Sequence, residues 1–358
     1  MNILIGTGAF GMGHCMAAEA VKDELRELYP GMKIDVVDLL RDMYPRCGSL
    51  VYKGFELVVG KCPRIFNAVT ELDRGSGRLV QMLLLYAGLE RMTAVYRPDV
   101  VIATCPVISA ALGEYKQRFG KSFRLVTYIT DIFLHPEWIS KYADAYAVGD
   151  EMVRQALIAK GIDADRIFVC GLPVRKAFRA AADSTVDHRK EILIMGGGLG
   201  LIKNIENFLT NFKFHREIHV TIVTGKNIRL FERLSRFAED MPNVEVCGYI
   251  EDIERYYARA DLIVTKPGGI TMFEAIYTGT PMLVTSPALI QEKANARFIS
   301  EKHIGRVVSD ENSAGAAALQ MLSDDREREY IKASMKRIKQ DIRPHGMKDI
   351  LDRCEAGA

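Results

Sequence analysis

The amino-acid sequence predicts an α/β protein built from two doubly wound, Rossmann-like domains. Three observations carry that expectation. Short continuous apolar runs, the mark of parallel strands buried on both faces, alternate with segments of helical period. Each half of the chain opens with such a run passing into a glycine-rich turn: Ile5-Gly-Thr-Gly-Ala-Phe-Gly-Met-Gly-His14 in the first, Met195-Gly-Gly-Gly-Leu-Gly200 in the second. The length of 358 residues, 48% of them hydrophobic, suffices for two packed cores at about 150 residues per domain.

In the first half strands are expected at 2–5, 34–37, 100–103, 125–129 and 145–148, separated by segments such as 15–29 whose apolar residues recur at helical spacing. A further strand is expected at 167–170, after a turn that holds Asp163-Ala-Asp165. Residues 175–190, polar and rich in alanine, form the linker. Beyond it, runs at 191–195, 219–224, 244–246, 262–265 and 282–284 repeat the alternation. The expected domains are therefore 1–174 and 190–322, followed by a C-terminal helical segment, 323–358. Ligands of open α/β sheets bind beyond the carboxyl ends of the strands, so both glycine turns are expected to face a central cleft.

Composition removes several function classes. Lys and Arg number 48 against 46 Asp and Glu, a formal net charge of +2, which provides no global basic field for nucleic acid. The seven cysteines (15, 47, 62, 105, 170, 247 and 354) are odd in number and contain no C-x-x-C pair, so neither a disulfide framework nor a zinc site is indicated, and a reducing cytoplasm is expected. His215-Arg-Glu-Ile-His219 misses the order of H-E-x-x-H. The N-terminus lacks the basic region and cleavage site of a secretory signal. The apolar stretch 79–89 is far short of the roughly 20 residues a spanning helix needs. Residues 41–91 carry eight basic side chains against five acidic ones, interleaved with Tyr52, Phe55 and Phe66, a composition suited either to ordinary solvated helices or to an anionic lipid surface.

Five segments carry chemistry. Gly6-Thr-Gly8-Ala-Phe-Gly11 fits G-x-G-x-x-G, with Asp38 near the end of the second strand, so a nicotinamide enzyme is one reading. Gly196, Gly197, Gly198 and Gly200 follow a strand and can close backbone N–H groups around an anion; no Lys-Ser/Thr follows, which disfavours NTP hydrolysis. In Thr265-Lys-Pro-Gly268-Gly269-Ile-Thr-Met-Phe-Glu274 two glycines at a helix start let a pyrophosphate approach the positive helix end, and Glu274 can accept hydrogen bonds from ribose hydroxyls. Gln291 and Asn295, four apart on one helix face, suit sugar hydroxyls. Asp131, His135 and Trp138 lie just past the strand at 125–129.

Gly11-x-Gly13-His14, Thr130-Asp131 with His135-Pro-x-Trp138, Gly171-Leu-Pro-Val-Arg175, Gly196-Gly-Gly-x-Gly200, Thr265-Lys-Pro-Gly-Gly-x-Thr271-x-x-Glu274-Ala and Gln291-Glu292-x-x-Asn295 occur in order and together resemble the monogalactosyldiacylglycerol synthase and processive diacylglycerol glucosyltransferase family, relatives of the lipid II-forming N-acetylglucosaminyltransferase. The resemblance spans roughly residues 1–310. It implies a GT-B fold and an inverting transfer of a hexose from a UDP-sugar to a membrane lipid such as diacylglycerol. It further implies that Glu274 binds ribose, that Gly268, Gly269 and Thr271 contact the diphosphate, and that Gly196 to Gly200 form a second glycine loop. Tyr249 and Ile250 fall where the family holds uracil, Gln291, Glu292 and Asn295 where it contacts the donor sugar, and His14 where it has a histidine after its N-terminal glycines. This chain reads Gly11-Met-Gly13-His14-Cys15 there, which bears on acceptor identity rather than on fold.

The acceptor hydroxyl must lose its proton as it attacks the anomeric carbon, so the candidate bases are His14 or Asp131, with His135 third. UDP leaves as an anion that the helix start at Gly268 can stabilise, so no cofactor and no obligatory metal is expected. The partners implied are a UDP-sugar, a lipid acceptor and an anionic membrane surface met peripherally from the cytoplasm, without nucleic acid. A soluble small-molecule acceptor, or a non-catalytic nucleotide-sugar-binding protein, are the alternatives.

Overall fold

The computed structural model describes residues 1–8, 12–43, 78–180, 189–196, 204–285, 287, 289–343 and 346–356. The chain forms two compact units, Met1–Lys176 with Ile342–Ala358, and Ala177–Asp341.

In the first unit, β1 (Asn2–Thr7), β2 (Lys33–Asp38), β3 (Val100–Ala103), β4 (Arg124–Tyr128), β5 (Ala145–Val148) and β6 (Ile167–Val169) form a parallel sheet of order β2-β1-β3-β4-β5-β6. Strand β1 lies between β2 and β3, and its Ile3 stands opposite both Ile34 and Val100. The intervening helices are α1 (Met12–Leu28), α2 (Leu39–Met43), α3 (Arg78–Tyr96), α4 (Pro106–Phe119) and α5 (Glu151–Ala159). On α1 the buried residues Ala17, Ala18, Val21 and Leu25 lie on one helical face, and the small alanines bring the helix close to the sheet. The apolar stretch 79–89 falls inside α3, which buries Tyr86, Leu89 and Met92. No helix among the described residues is long and apolar enough to cross a membrane.

In the second unit, β7 (Lys190–Met195), β8 (Ile218–Val223), β9 (Val244–Cys247), β10 (Leu262–Thr265), β11 (Met282–Thr285) and β12 (Gly305–Val308) form a parallel sheet of order β12-β11-β10-β7-β8-β9. Its helices are α6 (Lys176–Ala180), whose Phe178 is fully buried, then α7 (Ile205–Thr210), α8 (Ile228–Phe237), α9 (Ile253–Arg259), α10 (Gly269–Thr278), α11 (Ile290–Glu301), α12 (Ala314–Ser323) and α13 (Asp325–Asp341). No apolar run marks β12 in the sequence, because this edge strand opens on Gly305 and Arg306; it buries only Val308. It pairs with β11 through Gly305, where a Cβ would stand 2.3 Å from the Met282 carbonyl oxygen.

The C-terminal segment 323–358 is helical, and its helices are divided between the two units. Helix α13 stays with the second unit, while α14 (Gly346–Ala356) returns to the first. There Met347, Ile350, Leu351 and Cys354 join the core of Ile3, Ile5, Val126, Tyr128 and Ala145. Each such side chain contributes roughly 1.5–3 kcal/mol by burial. The approach is close: a Cβ at Gly346 would lie 2.3 Å from Cys170 Sγ, and Gly171, at φ +74°, turns the chain beside Ile342. The Asp163-x-Asp165 pair is spent in this neighbourhood, Asp165 on Arg353 at 2.8 Å and Asp163 on Arg166 at 3.0 Å.

Candidate active site

In an open parallel sheet the ligand crevice lies at the carboxyl ends of the strands, where the strand order reverses. In the first unit that point is between β1 and β3. The end of β1 feeds α1, whose first turn carries His14; the end of β3 gives Thr104, and the end of neighbouring β4 gives Thr130 and Asp131. These residues meet. A 2.9 Å hydrogen bond joins His14 Nδ1 and Thr130 Oγ1, and the Thr104 hydroxyl donates to the His14 carbonyl at 3.2 Å. The imidazole stands edge-on to the buried Trp138 ring at 6.2 Å.

Burial holds the His14 imidazole below its ordinary value of 6.5, although the Asp131 charge and a hydrogen bond at Thr104 both favour the protonated ring. Burial likewise raises the Asp131 carboxyl above the usual carboxylate range, while His14 and His135 oppose it. A neutral imidazole with a carboxylate in electrostatic reach is the arrangement of a general base whose charged form is stabilised once it takes a proton. His135 is differently occupied. Its Nδ1 accepts from the Glu137 backbone N–H at 3.3 Å, capping the short 3₁₀ turn Pro136–Trp138.

In the second unit the order reverses between β7 and β10, where Met195 and Thr265 are opposite each other. Gly196 follows directly and is buried; Gly197, Gly198 and Gly200 lie outside the described residues. Past β10, Gly268 is the N-cap of α10 and has no side chain to bond the first N–H groups, so the positive end of this helix stays available to an anion. The Thr271 hydroxyl lies over the same end, 3.6 Å from where a Gly268 Cβ would sit. Glu274, one turn further on, is only 4% exposed and accepts a 3.0 Å hydrogen bond at Oε2 from the Tyr257 hydroxyl.

Helix α11 contributes the polar trio expected from the sequence, with distinct partners. Asn295 is buried and its Nδ2 donates to the Pro267 carbonyl at 2.9 Å, fixing the turn into α10. Glu292 reaches back to accept from the Leu289 N–H at 3.1 Å and thus caps its own helix. The side-chain oxygens of Gln291 and Asn295 are buried and have no hydrogen-bond partner among the described residues, two acceptors suited to hydroxyl donors. Tyr249, in the loop after β9 that also holds Ile250, is 63% exposed with the Lys226 ammonium 5.6 Å from its ring centre. Among the described residues no group of three or more His, Cys, Asp or Glu side chains is placed to hold a metal ion.

The sequence did not single out Thr130 as the partner of His14, nor Tyr257 as the partner of Glu274. Both pairings join residues far apart in the chain, and neither leaves a local pattern. The one available clue was the tandem Tyr256-Tyr257 in a short helix, of which only one ring can face the core. Of the basic residues between 41 and 91, Arg46, Lys53, Lys61, Arg64 and Arg74 lie outside the described residues, as does the side chain of Arg78; Arg41 is exposed beside Asp38 at 3.6 Å.

Two Rossmann-like units, one offering a half-buried His/Asp pair and the other an open helix start with a buried acid, define a glycosyltransferase of the GT-B class. The fold is that of Acinetobacter baumannii MurG, with a TM-score of 0.65 at 15% identity over 99% of this chain and 100% of that one. It is likewise that of the glycotransferase of kitacinnamycin, TM-score 0.67 at 16% identity over 99% of this chain and 98% of that one. The chain resembles the monogalactosyldiacylglycerol synthase family of glycosyltransferases: residues 14–174 match the Monogalactosyldiacylglycerol (MGDG) synthase model, and residues 191–352 the Glycosyltransferase family 28 C-terminal domain. Similar relatives include the processive diacylglycerol beta-glucosyltransferases of Bacillus pumilus, 28% identical over 94% of this chain and 90% of the relative, and of Bacillus subtilis, 27% identical over 90% and 87%.

Proposed function

We propose that this glycosyltransferase moves a hexose, with inversion, from a UDP-sugar to a diacylglycerol-type lipid, and that it does so without an obligatory metal. The observation that carries the reading is the uncapped start of α10 with buried Glu274 one turn inside it. The N–H groups at Gly268–Thr271 receive the diphosphate, Glu274 accepts from the ribose hydroxyls, and the side-chain oxygens of Gln291 and Asn295, unpaired among the described residues, accept from the hexose. Tyr249 and Ile250 border the uracil. Relatives named as diacylglycerol glucosyltransferases support the lipid acceptor.

In the tautomer that carries its proton on Nδ1 and donates it to Thr130 Oγ1, His14 Nε2 keeps its lone pair and takes the acceptor hydroxyl proton. The acceptor oxygen forms its bond to the anomeric carbon as the bond to the β-phosphate oxygen breaks, and the electron pair leaves with UDP. The helix start stabilises that developing charge through N–H groups already oriented toward it. Asp131 balances the imidazolium. The basic excess between residues 41 and 91 supports peripheral contact with anionic lipid.

The test is UDP release by the purified chain, offered a panel of UDP-hexoses with and without anionic vesicles containing diacylglycerol, with the organic phase extracted for product. Vesicle-dependent release and a labelled glycolipid are expected. Release into water-soluble product alone would replace the lipid acceptor by a soluble one, and tight UDP binding without turnover on any acceptor would make the chain a nucleotide-sugar-binding protein.

A further inference from the structure

The buried hydroxyl of Tyr257 reaches the acid that the proposed function places on the donor ribose. Tyr257 is completely buried on α9, its ring packed edge-on against Phe178 at 5.0 Å and 90°. Its backbone carbonyl accepts a 2.7 Å hydrogen bond from Thr280 Oγ1, and that hydroxyl in turn meets Thr278 Oγ1 at 2.8 Å. The phenol is thus fixed at ring and backbone, and its hydroxyl stands 3.0 Å from Glu274 Oε2. Helix α9 also begins directly after the loop of Tyr249 and Ile250, so this one hydrogen bond ties the segment proposed to border the base to the acid proposed to hold the sugar.

We propose that Tyr257 is a positioning residue for nucleotide recognition: it orients Glu274 so that the carboxylate accepts the two ribose hydroxyls of a uridine nucleotide. The inference rests on the reading of Glu274 as the ribose acid. Its chemical logic is the type of donor. An ionised carboxylate only accepts hydrogen bonds, and ribose hydroxyls can donate two. A buried carboxyl group needs a hydrogen-bond partner. The Tyr257 phenol gives one of its oxygens a neutral donor. It also limits the rotamers of a side chain that has three free torsions, so less ordering is left to the moment of binding.

The experiment is calorimetric titration of the full chain with UDP and with 2′-deoxyuridine diphosphate, for the wild type, Tyr257→Phe, Glu274→Gln and the double variant, together with KM and kcat for the preferred UDP-sugar. Tyr257→Phe keeps the ring packing on Phe178 and is expected to weaken UDP binding and raise KM by about tenfold, with kcat at saturating donor unchanged. The penalty is expected to shrink for the 2′-deoxy probe and to vanish in the Glu274→Gln background. A loss of equal size with or without Glu274, unaccompanied by any difference between the two probes, would assign Tyr257 to general packing and overturn the proposal. So would unchanged UDP affinity in Tyr257→Phe while Glu274→Gln weakens it. Unchanged affinity in Glu274→Gln itself would overturn the ribose assignment, and this inference with it. Melting temperatures taken on the same samples ensure that affinities are compared between folded proteins.

Discussion

The two units use closely related parallel sheets and put different chemistry at the point where the strand order reverses. In the first the reversal lies between β1 and β3, in the second between β7 and β10. Each point is entered from a strand ending near glycine. The first gathers groups that change protonation, a histidine whose basicity burial lowers and an aspartate whose acidity burial weakens. The second gathers groups that hold fixed charge and fixed hydrogen bonds: backbone N–H groups at a helix start, a buried carboxylate compensated by a phenol, and amide side chains from α11. In the proposed function one scaffold therefore serves two tasks, moving a proton and holding an anion, and the difference resides in a few side chains beyond the strand ends.

The sharpest way to break this comparison is to remove one residue from each side. His14→Ala is expected to lower kcat by about 10²–10⁴-fold, the range for loss of a positioned general base, while UDP affinity measured by calorimetry stays at the wild-type value. Glu274→Ala is expected to do the reverse, weakening UDP binding by about 10–100-fold as charged hydrogen bonds are lost, with much of kcat recovered at saturating donor. Equal effects of both variants on UDP affinity would abolish the division of labour.

Stability offers a second contrast, because only the first unit is closed by a returning C-terminal helix. Ile350 is fully buried in the core that α14 shares with β1 and β4. Ile350→Ala is expected to cost about 2–5 kcal/mol, read as a lower denaturant midpoint for the first unit. The transition of the second unit, followed by UDP protection, should not move. A single transition displaced as a whole would mean that the units unfold together.

Most of this architecture was legible because the strands are buried on both faces. Runs such as 100–103 and 262–265 leave no polar interruption, and their boundaries coincide with β3 and β10. The edge strand β12 was not legible, since its opening Gly305-Arg306 breaks the apolar run. Nor was the return of α14: its amphipathic face would suit either unit, and what directs it is the fit of Gly346 against Cys170, which no periodicity encodes. At the sites, His14, Asp131, Glu274 and Asn295 stand out because motif spacing ties them to strand ends and helix starts. Their partners Thr130, Tyr257 and Pro267 became visible only in three dimensions, since each hydrogen bond is a tertiary contact between residues that are 116, 17 and 28 positions apart.

The smallest expected effect is also the one that separates the candidate bases. The Asp131 charge raises the affinity of His14 for a proton, against the larger, opposite influence of burial. Asp131→Asn removes that charge and leaves burial alone, so the histidine value must fall further below 6.5, and the acid limb of kcat/KM must move to lower pH. In the wild type each group bears on the other's protonation: burial raises the Asp131 carboxyl while the His14 charge opposes that rise. The variant should show a simpler, single-proton limb. Its plateau should drop by about tenfold, because the imidazolium that forms as the acceptor is deprotonated has lost its counter-charge. If Asp131 were itself the base, the plateau would collapse by orders of magnitude and His14→Ala would leave most of the rate intact. A pH–rate profile of the two variants, taken at saturating acceptor, decides between a histidine supported by an aspartate and an aspartate supported by a histidine.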